Sequence, residues 1–190
     1  MPDVDEGAFR YRFPNGWVAV KFDGLAFYRN SFQSFASGAR PGGSSASGSK
    51  AVDVVAIEPG AGHQAATLWL IEQKDFRAHG REKELPVGQE LAEKALGTLA
   101  CLVAGRANAG DTPLGMAERL WKDGTEISKI RFVFHFEQPD KPSRLFPQPI
   151  DPKSMEDDLR RSLRAVDPHP DGGGFTTING RGFGWQIAPK

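Results

Sequence analysis

The sequence predicts an α/β fold in which a mixed β-sheet core is flanked by helices. Three segments rich in β-branched and aromatic residues carry strand patterns, namely residues 51–57, 67–74 and 130–136. A strongly helical segment, residues 87–104, lies between the last two, so that strands and a helix alternate along the chain. The chain has 190 residues, of which 39% are hydrophobic, and this is enough for one domain with a buried core.

The charge and cysteine content limit the class of protein. Lysine plus arginine equals aspartate plus glutamate, at 24 each, so the net charge gives no indication of a nucleic-acid partner. The single cysteine, Cys101, excludes an intramolecular disulfide and fits a reducing compartment. The N-terminus has no signal-peptide pattern, and no apolar run approaches the roughly 18 residues of a membrane span. We therefore expect a cytoplasmic protein without membrane contact.

The N-terminal region is predicted to contain two strands and a helix. Aromatic residues alternate with arginines over residues 9–13, which indicates a short edge strand, and residues 17–22 are a better strand candidate. Four residues at helical spacing predict a helix over 25–36, and they are Leu25, Tyr28, Phe32 and Phe35. This aromatic stripe suits core packing or, alternatively, a platform on which bases stack. The sheet is expected to lie between this helix and the helix at 87–104.

Residues 37–50 are low in complexity and rich in glycine and serine, which predicts a flexible loop. Two interpretations stay open for this loop. It is either a floppy connection or a mobile flap that becomes ordered on a ligand, with Arg40 and Lys50 contacting phosphate.

The strand candidates at 51–57 and 67–74 are joined by a glycine-rich turn, which favours a hairpin. A charged loop and the buried helix follow, and then a short helix is expected over 113–121. In the strand at 130–136 the phenylalanines face one way, and His135 is interpreted as an ordinary surface or interface residue.

The C-terminal part is predicted to be a proline-rich linker at 138–150 and an amphipathic helix at 152–166. A glycine-rich loop at 167–182 and a last strand at 183–187 follow. The predicted organisation is therefore a core domain over residues 1–137, with residues 138–190 packed on the same domain.

The residue pattern that carries chemistry lies on the two hairpin strands. Glu72 and Lys74 are two residues apart on one strand, so they point to the same face. Asp53 lies in the partner strand, close enough for its carboxylate to approach that of Glu72. Two carboxylates so close repel each other unless a cation lies between them, and oxygen ligands favour Mg²⁺ or Mn²⁺. The alternative is a plain salt bridge between Lys74 and Asp53 or Glu72.

The segments at 50–56 and 70–77 resemble the two signature strands of the PD-(D/E)XK nuclease superfamily, and the resemblance covers roughly residues 17–137. It implies a restriction-endonuclease-like core with a C-terminal helix and strand extension. It also implies that Asp53, Glu72 and Lys74 are catalytic. In addition, Asp53, Glu72 and the backbone carbonyl of Gln73 would bind Mg²⁺ or Mn²⁺.

The chain departs from the family pattern in two places. Val52 replaces the proline that usually precedes the first acid. The helix at 25–36 contains no acid, so that only Asp23 or Glu6 is left to supply a further carboxylate, and this puts a second metal in doubt.

Other cations are candidates for binding nucleic acid. Lys94 and Thr98 are polar residues one turn apart on an apolar helix, and Lys94 either reaches the site or extends to solvent. Arg77 follows the motif, and the predicted nucleic-acid contacts are Lys50, Arg77, Lys94 and Arg40. For Asp75, two residues before Arg77, a structural ion pair is favoured over metal binding. The four histidines have no metal-ligand spacing, and no phosphate-binding loop motif is present.

These observations predict a metal-dependent phosphodiester hydrolase, and by resemblance a DNA endonuclease of prokaryotic antiviral defence or DNA processing. DNA is favoured over RNA as the partner. The alternative is a catalytically inactive nuclease-fold protein, acting as a nucleic-acid-binding or scaffold subunit of a larger complex. A homodimer or a larger complex is also left open, with the linker and the helix at 152–166 as its candidate contacts.

Overall fold

A computed structural model describes residues 1–33, 49–60, 65–77, 85–108, 127–139 and 150–190. For residues 106–108 it describes the backbone alone. In chain order the strands are β1 (Asp3–Glu6), β2 (Phe9–Arg12), β3 (Val18–Lys21), β4 (Val54–Glu58), β5 (Ala66–Asp75), β6 (Ile127–Glu137), β7 (Asp171–Gly173) and β8 (Gln186–Pro189). The helical segments are a π-helical turn (Tyr28–Phe32), α1 (Val87–Asn108), α2 (Pro152–Leu163) and α3 (Phe175–Gly180).

The strands form a five-stranded mixed sheet and a three-stranded antiparallel sheet. The larger sheet has the order β3-β4-β5-β6-β7, in which β3, β4 and β5 are antiparallel while β5, β6 and β7 are parallel. Helix α1 lies between β5 and β6 in the chain, as a parallel pair requires a long crossover connection. The predicted mixed α/β class and the predicted hairpin of β4 and β5 are confirmed.

The five-stranded sheet is covered on both faces, because side chains of β5 alternate between two apolar clusters. Leu68 and Leu70 pack with residues of α1 and α2, whereas Trp69 and Ile71 pack with residues of the smaller sheet. A strand that is apolar on both faces belongs at the centre of a sheet, and β5 occupies the middle position.

The N-terminal predictions are only partly confirmed. The strand at 17–22 is present as β3, but β2 is the middle strand of the smaller sheet, between β1 and β8, and not an edge strand. In place of the helix expected over 25–36, the structure has a π-helical turn at Tyr28–Phe32. Residues 34–36 of the predicted helix lie outside the described part of the chain. Tyr28 packs in the same apolar cluster as α1, so both helical segments lie on one face of the five-stranded sheet. The prediction that the sheet lies between two helices is therefore wrong, because the smaller sheet covers the opposite face.

The C-terminal region adds to both sheets. Helix α2 is confirmed, with Met155, Leu159 and Leu163 buried against the core. The loop predicted at 167–182 is wrong, because β7 and α3 lie within it. Gly172 lies close beneath α2, because a Cβ at this position would lie 2.8 Å from Leu159 Cδ1 and would require that side chain to shift.

The last strand, β8, closes the smaller sheet. It pairs with β2 from Phe9 opposite Pro189 to Arg12 opposite Gln186. The predicted helix at 113–121, loop residues 37–48 and linker residues 140–149 lie outside the described residues. In the part of the chain that is described, no helix has the length and apolar character needed to cross a membrane.

Candidate active site

The register of β4 and β5 brings the two predicted acids together. Val54 is paired with Ile71, so Asp53 at the entrance to β4 lies beside Glu72 near the end of β5. The Asp53 side chain is tied to the partner strand, because the backbone N–H of Gln73 donates a hydrogen bond of 2.7 Å to Asp53 Oδ2. The carboxylate of Asp53 is therefore held in one orientation, with Oδ1 available to other partners.

Two lysines converge on the carboxylate of Glu72, which is fully buried. Lys74 Nζ lies 2.8 Å and Lys94 Nζ 2.5 Å from Glu72 Oε1. Lys94 Nζ also lies 3.8 Å from Asp53 Oδ1, so this lysine contacts both acids. The structure thus brings Asp53, Glu72 and Lys74 together as predicted, and it adds Lys94 from helix α1.

The backbone of α1 lies close to the strand that carries Asp53. The buried N–H of Val52 donates a hydrogen bond of 2.9 Å to Thr98 Oγ1, and this hydroxyl donates in turn to the carbonyl of Lys94, at 2.8 Å. A Cβ at Gly97 would collide with the carbonyl oxygen of Lys50, so that only glycine permits this close approach. These contacts direct Lys94, one turn earlier, into the site.

A cavity of about 390 Å³ opens beside these groups. Asp53, Lys74 and Lys94 contribute to its lining, while the buried Glu72 lies behind them. The other described residues that line it are Asp23, Tyr28, Arg29, Gln33, Ser49, Lys50 and Ala51. Four of the described lining residues are cationic and two are acidic, an excess of positive charge that suits an anionic ligand.

The site shifts the pKa of Glu72 and of Lys74. Burial raises the pKa of Glu72 to about 7, and the charge of Asp53 adds to this shift while Lys94 and Lys74 oppose it. For Lys74, burial acts to lower the pKa, but the neighbouring Glu72 carboxylate outweighs it and leaves the pKa raised. This shift favours the charged form of Lys74.

The residues present fit a hard divalent cation. Glu72 Oε2 is buried, and it has no hydrogen-bond partner among the described residues. Together with Asp53 Oδ1 and the Gln73 backbone carbonyl, it provides the oxygen donors that Mg²⁺ prefers. Within the described ranges, no three Asp, Glu, His or Cys side chains are grouped closely enough to hold a metal by themselves.

Of the two further acids considered from the sequence, Asp23 lies nearer to the cavity. It lines the cavity, and burial raises its pKa, with repulsion from Asp53 acting in the same direction. Glu6 instead pairs with Lys21, at 2.6 Å. Asp23 is thus the better placed of the two to supply a third carboxylate.

The predicted nucleic-acid contacts occupy different places. Lys50 lines the cavity and pairs with Glu93 at 3.0 Å, and Lys94 lies at the acids. Arg77 pairs with Asp75 at 2.6 Å and lies over the ring of Phe9, on the side of the smaller sheet, and it does not line the cavity. Arg40 lies outside the described residues.

The expectation that His135 lies at the surface is wrong, because its side chain is fully buried. Its Nδ1 lies 2.5 Å from the hydroxyl of Tyr11, and its Nε2 lies 3.1 Å from Glu137 Oε1. Burial lowers the pKa of His135, although Glu137 acts to raise it. The strand alternation put His135 opposite the phenylalanines correctly, but it did not reveal that the smaller sheet covers this face.

Comparison with known proteins gives no match: no protein-family model, no curated protein and no solved structure is similar to this chain.

Proposed function

We propose that the chain is a Mg²⁺- or Mn²⁺-dependent phosphodiester hydrolase of the PD-(D/E)XK type, acting as a DNA endonuclease. The observation that carries this proposal is the convergence of Asp53, Glu72 and Lys74 from two paired strands, with Asp53 and Lys74 lining one cavity and Glu72 buried behind them. The same three residues carry the sequence resemblance, and the mixed sheet with α1 after β5 agrees with a nuclease core.

In this proposal Asp53, Glu72 and the Gln73 carbonyl hold the cation. A divalent cation in such a site supplies charge to a phosphodiester under attack and makes water more acidic. Asp53 is oriented for this role by the Gln73 N–H, and Glu72 Oε2 lacks a hydrogen-bond partner among the described residues. The burial of Glu72 excludes competing solvent from the carboxylate.

Lys74 contributes positive charge at the cavity wall. Its side chain is 32% exposed, so the ammonium is accessible to a ligand, while its contact with Glu72 fixes its position. A cation held there stabilises the charge that develops on the phosphate during hydrolysis. Lys50 lines the same cavity and is placed to contact a flanking phosphate.

The competing proposal is a non-catalytic nucleic-acid-binding or scaffold subunit with the same fold. The observation that favours it is the pairing of Glu72 with two lysines, because such pairs compensate a buried carboxylate without any metal. Both proposals place nucleic acid in the cavity and differ in whether it is cut. A cytoplasmic location and a role in antiviral defence or DNA processing belong to the first proposal.

The test is cleavage of plasmid DNA and of RNA by the purified protein with Mg²⁺, with Mn²⁺ and with EDTA. We expect metal-dependent nicking of DNA that Lys74→Ala abolishes. Lys153→Ala serves as the matched control, because Lys153 is exposed on α2. Absence of cleavage by the folded protein in either metal would overturn the nuclease proposal, and DNA binding without cleavage would support the competing one.

A further inference from the structure

Lys94 occupies an unusual place for a lysine on a largely apolar helix. Its side chain is only 13% exposed, and its ammonium lies 2.5 Å from Glu72 Oε1 and 3.8 Å from Asp53 Oδ1. Among the described ion pairs, no other cation bridges these two acids: Lys74 pairs with Glu72 but not with Asp53. The ammonium of Lys94 therefore contacts both carboxylates and, together with Lys74 at Glu72, offsets the repulsion between them.

The helix holds Lys94 in this position through its backbone. Thr98 accepts a hydrogen bond from Val52 and donates one to the Lys94 carbonyl, so that α1 cannot move away from the acids without breaking buried contacts. The lysine side chain itself remains able to turn about its four-carbon stem. It also lines the cavity, which gives the ammonium a space to enter.

We propose that Lys94 is an internal substitute for the divalent cation. It bridges Asp53 and Glu72 while no metal is bound, and it leaves them for the cavity, where a substrate phosphate lies, when a metal binds. This inference rests on the proposed metal site at Asp53 and Glu72. It gives Lys94, on α1, the role of lowering the affinity of that site for metal.

The Lys94 ammonium is bonded to Glu72 Oε1 and lies 3.8 Å from Asp53 Oδ1, so it stands beside the oxygens that a metal would take and repels a second cation there. It must therefore give up its charge-assisted hydrogen bond to Glu72 when a metal binds. The free energy of the contact between Lys94 and Glu72 is then lost, and this lowers the affinity of the site for metal. The released ammonium adds a positive charge on the side from which a phosphate approaches, so metal and substrate binding reinforce each other.

The first test measures Mn²⁺ affinity by calorimetry, without substrate, for the wild-type protein, for Lys94→Met and for Lys50→Met. Lys50 is the matched control, because it lines the same cavity but pairs with Glu93 and not with the acids. We expect Lys94→Met to bind Mn²⁺ about tenfold more tightly or better, from the worth of a charged hydrogen bond. A gain no larger than that of Lys50→Met would overturn the inference.

The second test uses the wild-type protein, so that it does not depend on whether Lys94→Met folds. Lysines are labelled briefly with an amine-reactive reagent with and without Mg²⁺, and the labelled peptides are quantified by mass spectrometry. We expect labelling of Lys94 to rise at least threefold with Mg²⁺, whereas the exposed Lys153 stays unchanged. Unchanged labelling of Lys94 at a saturating Mg²⁺ concentration would overturn the inference.

The two proposals fail in different ways. If the wild-type protein binds no divalent cation, the proposed metal site fails, and this inference fails with it. If the wild-type protein binds Mn²⁺ and cuts DNA, but Lys94→Met gains no affinity, the nuclease proposal stands and only the role of Lys94 is refuted.

Discussion

The hydroxyl of Thr98 joins α1 to the strand that carries Asp53, and Thr98→Val removes it at almost constant volume. Thr98 is fully buried, and its Oγ1 accepts the hydrogen bond of the buried Val52 N–H at 2.9 Å. Valine leaves this N–H without a partner. An orphaned buried donor costs about 1–3 kcal/mol, and we expect the free energy of unfolding to fall by this amount.

For a domain of this size, such a loss lowers Tm by about 2–12 °C, since 1 kcal/mol corresponds to roughly 2–4 °C. Urea unfolding followed by tryptophan fluorescence and a calorimetric scan would give both quantities. Thr176→Val is the matched control, because Thr176 is exposed on α3 and its replacement is expected to stay within about 0.5 kcal/mol. A Thr98→Val protein as stable as this control would refute the argument that the Thr98 hydroxyl fastens the helix to the site.

Three further predictions concern buried groups. Glu72→Gln keeps the shape of a metal ligand but removes its charge, so we expect metal-dependent cleavage to fall at least about 100-fold in single-turnover assays while the protein stays folded. His135 has a pKa lowered by burial, so its neutral form favours the fold; as the pH drops below about 6.5, the urea midpoint of the wild-type protein is expected to fall relative to that of His135→Gln. The comparison with His135→Gln is needed because the raised pKa of Glu72 acts in the opposite direction over this pH range. A difference between the two midpoints that stays constant from pH 7 to pH 5 would contradict this. Burial raises the pKa of Cys101 to about 12, so the thiol should resist iodoacetamide at pH 8 and react once urea unfolds the protein.

The central strands and two of the site acids were predictable from local pattern. The apolar run before Glu72 marked β5 as a central strand, and the glycine-rich turn implied the hairpin that sets Asp53 beside Glu72. Side-chain alternation then placed Lys74 on the same face as Glu72. Each of these inferences uses neighbours in sequence or in one hairpin.

The parts that were not predicted depend on distant pairings. The bridging position of Lys94 depends on how α1 crosses β4, and its sequence signal, a lysine and a threonine on an apolar helix, left two interpretations open. The sequence pattern predicts an exposed His135, because nothing near it in the sequence indicates that β2 and β8 cover it. The glycine-rich pattern at 172–174 predicts a loop, whereas Gly172 lies in β7 and lets this strand approach Leu159 of α2 closely.

The pairing of β2 with β8 has a consequence for how the molecule is made. Phe9 emerges from the ribosome 180 residues before its strand partner Pro189. Until then Tyr11 and Phe13 lack Trp185 and Ile187, the residues that bury them in the finished protein. Such long-range pairing is slow to form, and it leaves apolar surface exposed in the growing chain. A truncation before residue 186 should therefore aggregate in cells even though every residue of the proposed site is still present.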